Sequence, residues 1–396
     1  MIRYPIHYLT GLLLLAALCM HAPAFAEAAP APGAAQPAAV ALETPRSEVP
    51  FTPAFSYGDR VVSEDTVWRG EILVEGAVTI APQATLTIEP GTVVRFRQKE
   101  SRAALLVVQG RIAAAGTREA PVIFSSSFAV PVAGDWQGIM LLGSEKKNVM
   151  ENCRIDGAQT GLEALFSNVT LKSVRVERSR TGMRFQDALV VMESGGASGC
   201  DTGLSFIESE ATLRSPNLMG NRQGLSALRS SIYMEDGSLT ANRSAFSGDS
   251  CRVKIQGGAV LDNSRGVTLF ECQGSVTGAK LVQNNDYGMS LTASRIRVSG
   301  NQITGNVHNG LLVFDGASVA WGNAIHDNGS YDLYNAGKEE FRAPGNWWGE
   351  TAPKIYDNDG LGTVLSAPRL AAPPKPPPEW HSQAGAWERE KGASQG

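Results

Sequence analysis

Histidine is scarce in this chain of 396 residues, with five in all, and its five cysteines fall at none of the spacings that a zinc site requires. Charged residues make up only 19%, and no basic tract occurs, which excludes nucleic acid as an expected partner. The net charge of −4 is too small and too scattered to indicate a strongly cationic ligand. Long apolar runs are missing as well. The longest, residues 9–20, is too short for a comfortable transmembrane helix, so no membrane-spanning segment is expected in the mature protein.

What the chain has in quantity is glycine, 42 residues of it, and an interval. A glycine followed by an apolar residue occurs at Gly161-Leu162, Gly182-Met183, Gly203-Leu204 and Gly224-Leu225. Ala245-Phe246 follows with alanine in the glycine place, then Gly266-Val267, Gly288-Met289, Gly310-Leu311 and a last echo at Asp332-Leu333. The step is 21 residues five times and then 22 residues three times. A period of this size marks a solenoid, in which each repeat buries its face only against its neighbours.

Aligned on the glycine, the repeats separate inward from outward positions. The next residue is apolar throughout, and the residue two further on is again mostly apolar (Phe185, Phe206, Leu269, Leu291, Val313). Ser205, Ser226, Ser247, Thr268 and Ser290 lie between these columns, which is the alternation of a strand with one buried face. A second strand carries Leu171, Met192, Leu213, Met234, Ile255, Val276 and Val298. A third carries Ile155, Val176, Ala197, Leu218, Leu239, Val260, Val282 and Ile303. Three short strands per coil predict an all-β fold: a single-stranded right-handed parallel β-helix of about 21–22 residues per coil. A leucine-rich repeat lacks its sequence pattern here.

Two further columns mark corners. Asn221, Asn242, Asn263 and Asn285 stand three residues before the glycine place, and Asn306 and Asn328 stand four before it. Asparagine suits left-handed backbone, and its amide can bond the coils on either side, so these residues are expected to form a structural ladder. Six residues after the glycine place only small side chains occur: Ser167, Ala188, Ser209, Ser230, Cys251, Cys272 and Ser294. Cys251 and Cys272 are therefore expected one above the other, at a strand spacing of ~4.8 Å. That leaves both a disulfide and a pair of buried thiols open.

The ends differ from the middle. Residues 1–26 read as a secretory signal peptide, with Arg3, the apolar run from Leu9 to Met20, and Ala24-Phe25-Ala26 at the cleavage place. This predicts export to the periplasm or beyond, and takes the net charge from −4 to −5 on removal of Arg3. Residues 27–53 form an Ala/Pro-rich linker and 371–396 a Pro-rich tail, both expected to be disordered. The solenoid is expected over 54–370, with a cap and first coils at 54–140, regular coils at 141–344 and a closing segment at 345–370. Trp136, Trp347 and Trp348 are read as plugs near its two ends.

"TLTIEPGTVVRF" (Thr85 to Phe96), "LVVQGRIAAAGTREAPVIFSS" (Leu106 to Ser126) and "GDWQGI" (Gly134 to Ile139) resemble the entry region of bacterial right-handed parallel β-helix repeat proteins of the pectate-lyase-like fold. "GNWWG" (Gly345 to Gly349) with "KIYDNDGLG" (Lys354 to Gly362) resembles the segment that closes them. The resemblance covers about residues 61–370 and is specific for architecture rather than activity. A resemblance to the periplasmic copper-pathway β-helix proteins is also noted, without a Met/His ligand cluster to accompany it.

Two functional classes stand open, of which the pectate-lyase-like resemblance implies the second. One is an exported non-catalytic scaffold binding carbohydrate or cell-envelope material, with the row Ser205, Ser226, Ser247, Thr268 and Ser290 as candidate hydroxyl contacts. The other is a polysaccharide lyase or glycoside hydrolase. For that class Asp187 and Glu208, one coil apart, are the candidate carboxylate pair, near the ~5 Å separation of retaining enzymes. Neither Asn-Thr-Asp nor Gly-His-Gly occurs. Arg229 and Ser250 continue the acid column as an ordinary solvated face would. Asp357 and Asp359 are candidate oxygen ligands for Ca2+, set against a tight Asx turn; no other cofactor is expected. His308 and His326 read as solvated turn residues.

Overall fold

The structure, a computed structural model, describes residues 46–98, 104–144 and 146–375. The signal-peptide reading, most of the linker and most of the Pro-rich tail lie outside the described residues. From Arg46 onward the described chain is an all-β right-handed parallel solenoid of about 15 turns. One face is a 14-stranded parallel sheet whose strands include Thr202–Ile207, Gln223–Leu228, Ser244–Asp249 and Arg265–Phe270. The other two faces form one 25-stranded sheet, joined where the long bent strands Asn168–Glu177 and Leu189–Ser198 run through both. The expected disorder to residue 53 does not reach Arg46–Val49. Arg46 bonds Asp135 at 2.5 Å, and the Val49 amide donates to the Ser127 carbonyl at 2.8 Å.

Apolar alternation produces the interior as expected. Leu162, Met183, Leu204, Leu225, Phe246, Val267, Met289, Leu311 and Leu333 stack in register and are fully or almost fully buried. The glycine beside them answers to close approach rather than to backbone angle. A Cβ on Gly182 would lie 2.5 Å from the Gly203 carbonyl oxygen, and one on Gly203 2.6 Å from that of Gly224. On Gly266 it would lie 2.0 Å from the carbonyl oxygen of Gly288. At these positions a side chain would push the neighbouring coil away, although the column admits Ala245 where the coil gives way.

The asparagine corner is a continuous buried ladder, with one correction. Its members are Asn221, Asn242, Asn263, Asn284, Asn306 and Asn328; Asn285 is exposed and outside it. The same one-residue slip puts Leu281, not Val282, in the third apolar column between Val260 and Ile303. The cause is where the longer coils take their extra residue: between the ladder and the next glycine, so that counting back from Gly288 overshoots by one.

From Asn242 onward each ladder Oδ1 accepts from both the backbone N and the Nδ2 of the preceding Asn, as when Asn263 receives Asn242 at 2.8 and 3.1 Å; the Asn221 Oδ1 accepts the Cys200 amide. Each Nδ2 also donates to a carbonyl of the coil before, such as Asn263 to Leu239 at 3.0 Å. Donors and acceptor are thus bonded away from water, where an unpaired amide is costly. Left-handed backbone is not the reason for asparagine here: positive φ falls on the residue before each, as at Ala241 (56°), Asp262 (55°) and Gln283 (57°).

The ladder ends on Asp332, whose Oδ1 accepts from Asn328 at 3.2 and 3.1 Å and whose Oδ2 accepts the Lys354 amide at 3.0 Å. A second ladder, Asn301, Asn323 and Asn346, occupies another corner.

The tryptophans are placed differently from one another. Trp136 is not an end plug: it is buried between coils, stacked on Phe96 at 3.8 Å between ring centres, with Nε1 donating to the Asp156 carbonyl. Trp348 is buried in the core near the C-terminal end. Trp347 is half-buried, and its ring meets His326 edge-on at 4.6 Å.

Candidate functional site

The candidate acids sit at a corner, for a backbone reason. Phe166, Asp187, Glu208, Arg229, Ser250, Glu271, Ala293 and Asp315 all have φ between 45° and 55°. This position turns the chain out of the 14-stranded sheet, and its side chains project into solvent. Glu208 is bound there by Arg229, at 2.6 Å from Nη2 and 2.8 Å from Nε. Both are exposed, so the pair resembles other surface ion pairs between coils, each worth at most ~1 kcal/mol. Asp187 is exposed as well. Glu208 is thus engaged by Arg229 while Asp187 faces solvent, and the structure gives the two carboxylates no shared partner.

The hydroxyl row is continuous. Ser205, Ser226, Ser247 and Thr268 pair in successive strands and are half-buried, and Ser290, next in the row, is buried rather than open to a ligand. The Thr268 hydroxyl lies 2.9 Å from that of Tyr287. The row is framed by the ion pair of Glu163 and Arg184 at 3.6 Å on one side. On the other, Leu312, Tyr334 and Tyr356 continue the column. Tyr334 and Tyr356 stack at 4.4 Å, with Tyr331 at 5.2 and 5.6 Å from them. Tyr334 and Tyr356 were within reach of the sequence by extending the column three coils past Ser290.

Asp357 and Asp359 form a turn. The Asp357 side chain caps the short 3-10 segment Asn358–Gly360 by accepting the Gly360 amide at 3.2 Å, and Asn358 and Asp359 both take positive φ. Among the described residues no group of three His, Cys, Asp or Glu side chains is gathered as a metal would require. His326 bonds Asp327 at 2.8 Å, with the Trp347 ring against it; His308 is exposed in another turn.

Cys251 and Cys272 stack as expected and are thiols. The column they occupy is a hydrogen-bond ladder, a role that small size alone did not reveal. Ser209 N donates to Ser230 Oγ at 3.1 Å, Ser230 N to Cys251 Sγ at 3.4 Å, Cys251 N to Cys272 Sγ at 3.4 Å and Cys272 N to Ser294 Oγ at 3.0 Å. Each side chain donates in turn to the carbonyl two residues before it, Cys251 to Asp249 at 3.1 Å and Cys272 to Phe270 at 3.2 Å.

The remaining feature is a shallow open hollow of about 230 Å³ on the 25-stranded sheet. Glu210, Thr212, Ser231, Tyr233, Arg252 and Lys254 are among the residues that line it, and the Lys254 ammonium lies 4.8 Å from the centre of the Tyr233 ring. Sequence reasoning passed over these residues, because they meet only through the register of separate coils.

Residues 61–187 match a family model described as a pectate-lyase-like β-helix domain, and residues 125–359 match one described as periplasmic copper-binding protein (NosD). No curated protein matches the chain. Among solved structures, the periplasmic alginate epimerase AlgG is similar at 12% identity, over 77% of this chain and 78% of that one, with a TM-score of 0.37. The A-module of the Azotobacter vinelandii mannuronan C-5 epimerase AlgE4 is similar at 12% identity, over 76% and 90%, with a TM-score of 0.37. Pectate lyase Pel9A is similar at 12% identity, over 74% and 71%, with a TM-score of 0.25. At these values the likenesses bear on neither activity nor substrate.

Proposed function

This chain belongs to the family described as periplasmic copper-binding protein (NosD), and on that premise we propose that it is an exported, non-catalytic β-solenoid scaffold that binds carbohydrate or other cell-envelope material along its outer sheet faces. The observation that carries the reading is the division between inside and outside. Interior columns are closed by apolar packing and complete hydrogen-bond ladders, while the outer columns present long, regular rows of hydroxyl, amide and charged groups. A flat face with a shallow hollow suits an extended polymer better than a small substrate, which calls for a concave pocket.

The lyase or hydrolase reading has less behind it, since Glu208 is held by Arg229 and Asp187 lies in solvent. Copper is what the family's description names, and the described residues do not fit a copper centre. Such a site draws on thiolate, thioether and imidazole groups gathered together. Here Cys251 and Cys272 are buried and committed to their ladder, and Met183, Met192, Met234 and Met289 are core residues. His308 and His326 join no group of three ligands.

The test is incubation of the mature protein with neutral and acidic polysaccharides, with and without Ca2+, followed by binding and chain-length measurements. Retention without cleavage is the expected result. Cleavage lost in Asp187→Ala or Glu208→Ala would overturn the reading, and so would the absence of binding to every glycan.

A further inference from the structure

We propose that the outer face of strands Arg252–Gln256, Gln273–Thr277 and Arg295–Ser299 is a binding surface for an acidic polysaccharide, with Arg252, Lys254, Arg295 and Arg297 as its cation array. The inference rests on the glycan-binding reading above and names both the face and the charge class of the glycan.

Register assembles the array. Arg252 pairs with Gln273, which pairs with Arg295; Lys254 pairs with Ser275, which pairs with Arg297. Strands ~4.8 Å apart put the two cations of each column ~10 Å apart, and alternate residues of one strand lie ~7 Å apart. The four therefore mark the corners of a rectangle, with neutral polar side chains between them. All four are exposed.

What distinguishes them is the register that gathers four cations on one face; that they lack ion-pair partners is shared with other exposed arginines such as Arg222 and Arg243. In earlier coils the stacked columns neutralise themselves: Lys172 meets Glu151 at 2.9 Å, Arg214 meets Glu193 at 3.4 Å and Glu235 at 3.9 Å, and Arg229 meets Glu208 at 2.6 Å. Among the described residues none of Arg252, Lys254, Arg295 and Arg297 has such a partner, and the nearby acids Glu210 and Glu271 pair with none of them. Nor does the array follow from a basic composition, since the chain as a whole is at −4. An uncompensated patch of one sign on a surface of the other sign attracts its complement.

The surroundings select the complement. Thr212, Ser231, Gln273 and Ser275 offer hydrogen bonds to hydroxyls, and the open hollow beside Arg252 and Lys254 has room for a sugar ring. The face has no walls to enclose a single anion. Its one aromatic ring, Tyr233, faces the Lys254 ammonium, which leaves little stacking surface for nucleobases. A polymer carrying both carboxylates and hydroxyls matches all of these features.

The experiment measures binding of the mature protein to polygalacturonate, dextran and inorganic polyphosphate at low and high salt. Polygalacturonate should bind, and raising the salt should weaken it, because exposed charges are screened beyond ~8 Å at physiological ionic strength. The double variant Arg252→Gln/Arg297→Gln should bind about tenfold less tightly. Its thermal midpoint should stay unchanged, and the exposed Arg222→Gln should bind as the parent does.

Undiminished binding by the double variant would overturn the proposal, as would equal affinity for polyphosphate, which has charge without sugar. Binding of dextran but not polygalacturonate would overturn it while leaving the scaffold reading intact. Binding of neither glycan would remove both.

Discussion

The asparagine corner and the cation face are built by the same device, stacking in register, and they use it in opposite ways. At the corner, Asn221 through Asn328 repeat one residue and partner the side-chain amide groups through the ladder and the adjoining backbone. On the face, the column Tyr233, Lys254, Ser275, Arg297 varies from coil to coil and leaves its cations without a carboxylate partner among the described residues. In a solenoid, a column that repeats and satisfies itself reports on construction. One that breaks the repeat and leaves its charge uncompensated is where a partner is to be sought.

The sharpest break of that comparison is within the corner. Asn263→Ala removes an acceptor of two hydrogen bonds from Asn242 and the two bonds that the Asn263 Nδ2 donates, to Leu239 and Asn284. With unsatisfied buried groups costing ~1–3 kcal/mol each, the loss in urea denaturation should be about 3 kcal/mol or more. Asn285→Ala, one register step away in the sequence, should change stability by less than ~0.5 kcal/mol.

The buried thiols give the next effect. Burial raises Cys153 to about 12 and Cys200 to about 11, from an ordinary value of 9.0. Above pH 9 the unfolded chain loses these protons while the folded chain keeps them. Their contribution to stability is therefore complete below pH 9 and declines as pH rises toward the folded values. The slope should be ~1.4 kcal/mol per pH unit for each thiol, and it should flatten in Cys153→Ala/Cys200→Ala when denaturation is compared at pH 8 and pH 10.5.

Substitutions in the small-residue column test whether its cysteines act as ladder members. Cys251→Ser should preserve the bonds from Ser230 and to Asp249 and cost less than ~1 kcal/mol, whereas Cys251→Leu should cost ~1–3 kcal/mol by overpacking. The smallest effects belong to the corner acids. Asp187→Asn and Glu208→Gln should each shift stability by no more than ~0.5–1 kcal/mol and leave glycan binding unaltered.

Much of the interior was legible because burial imposes a strict period: the glycine place, the apolar column beside it and the small-residue column all follow from close approach between coils. Asn285 and Val282 were misplaced because the extra residue of the longer coils can stand on either side of the ladder, and only the hydrogen bonds decide which. The cation face was invisible for a different reason. Arg252 and Arg297 are 45 residues apart in sequence, no basic tract joins them, and their charge reads as scattered until the register brings them together.

The most direct test of the account is amine labelling of the mature protein with and without polygalacturonate, read lysine by lysine. Lys254 should become protected while the exposed Lys172 and Lys280 keep their reactivity, and dextran should protect none of them. Protection spread evenly over the three lysines, or absent from Lys254 under conditions where the polymer binds, would contradict the assignment of the cation face.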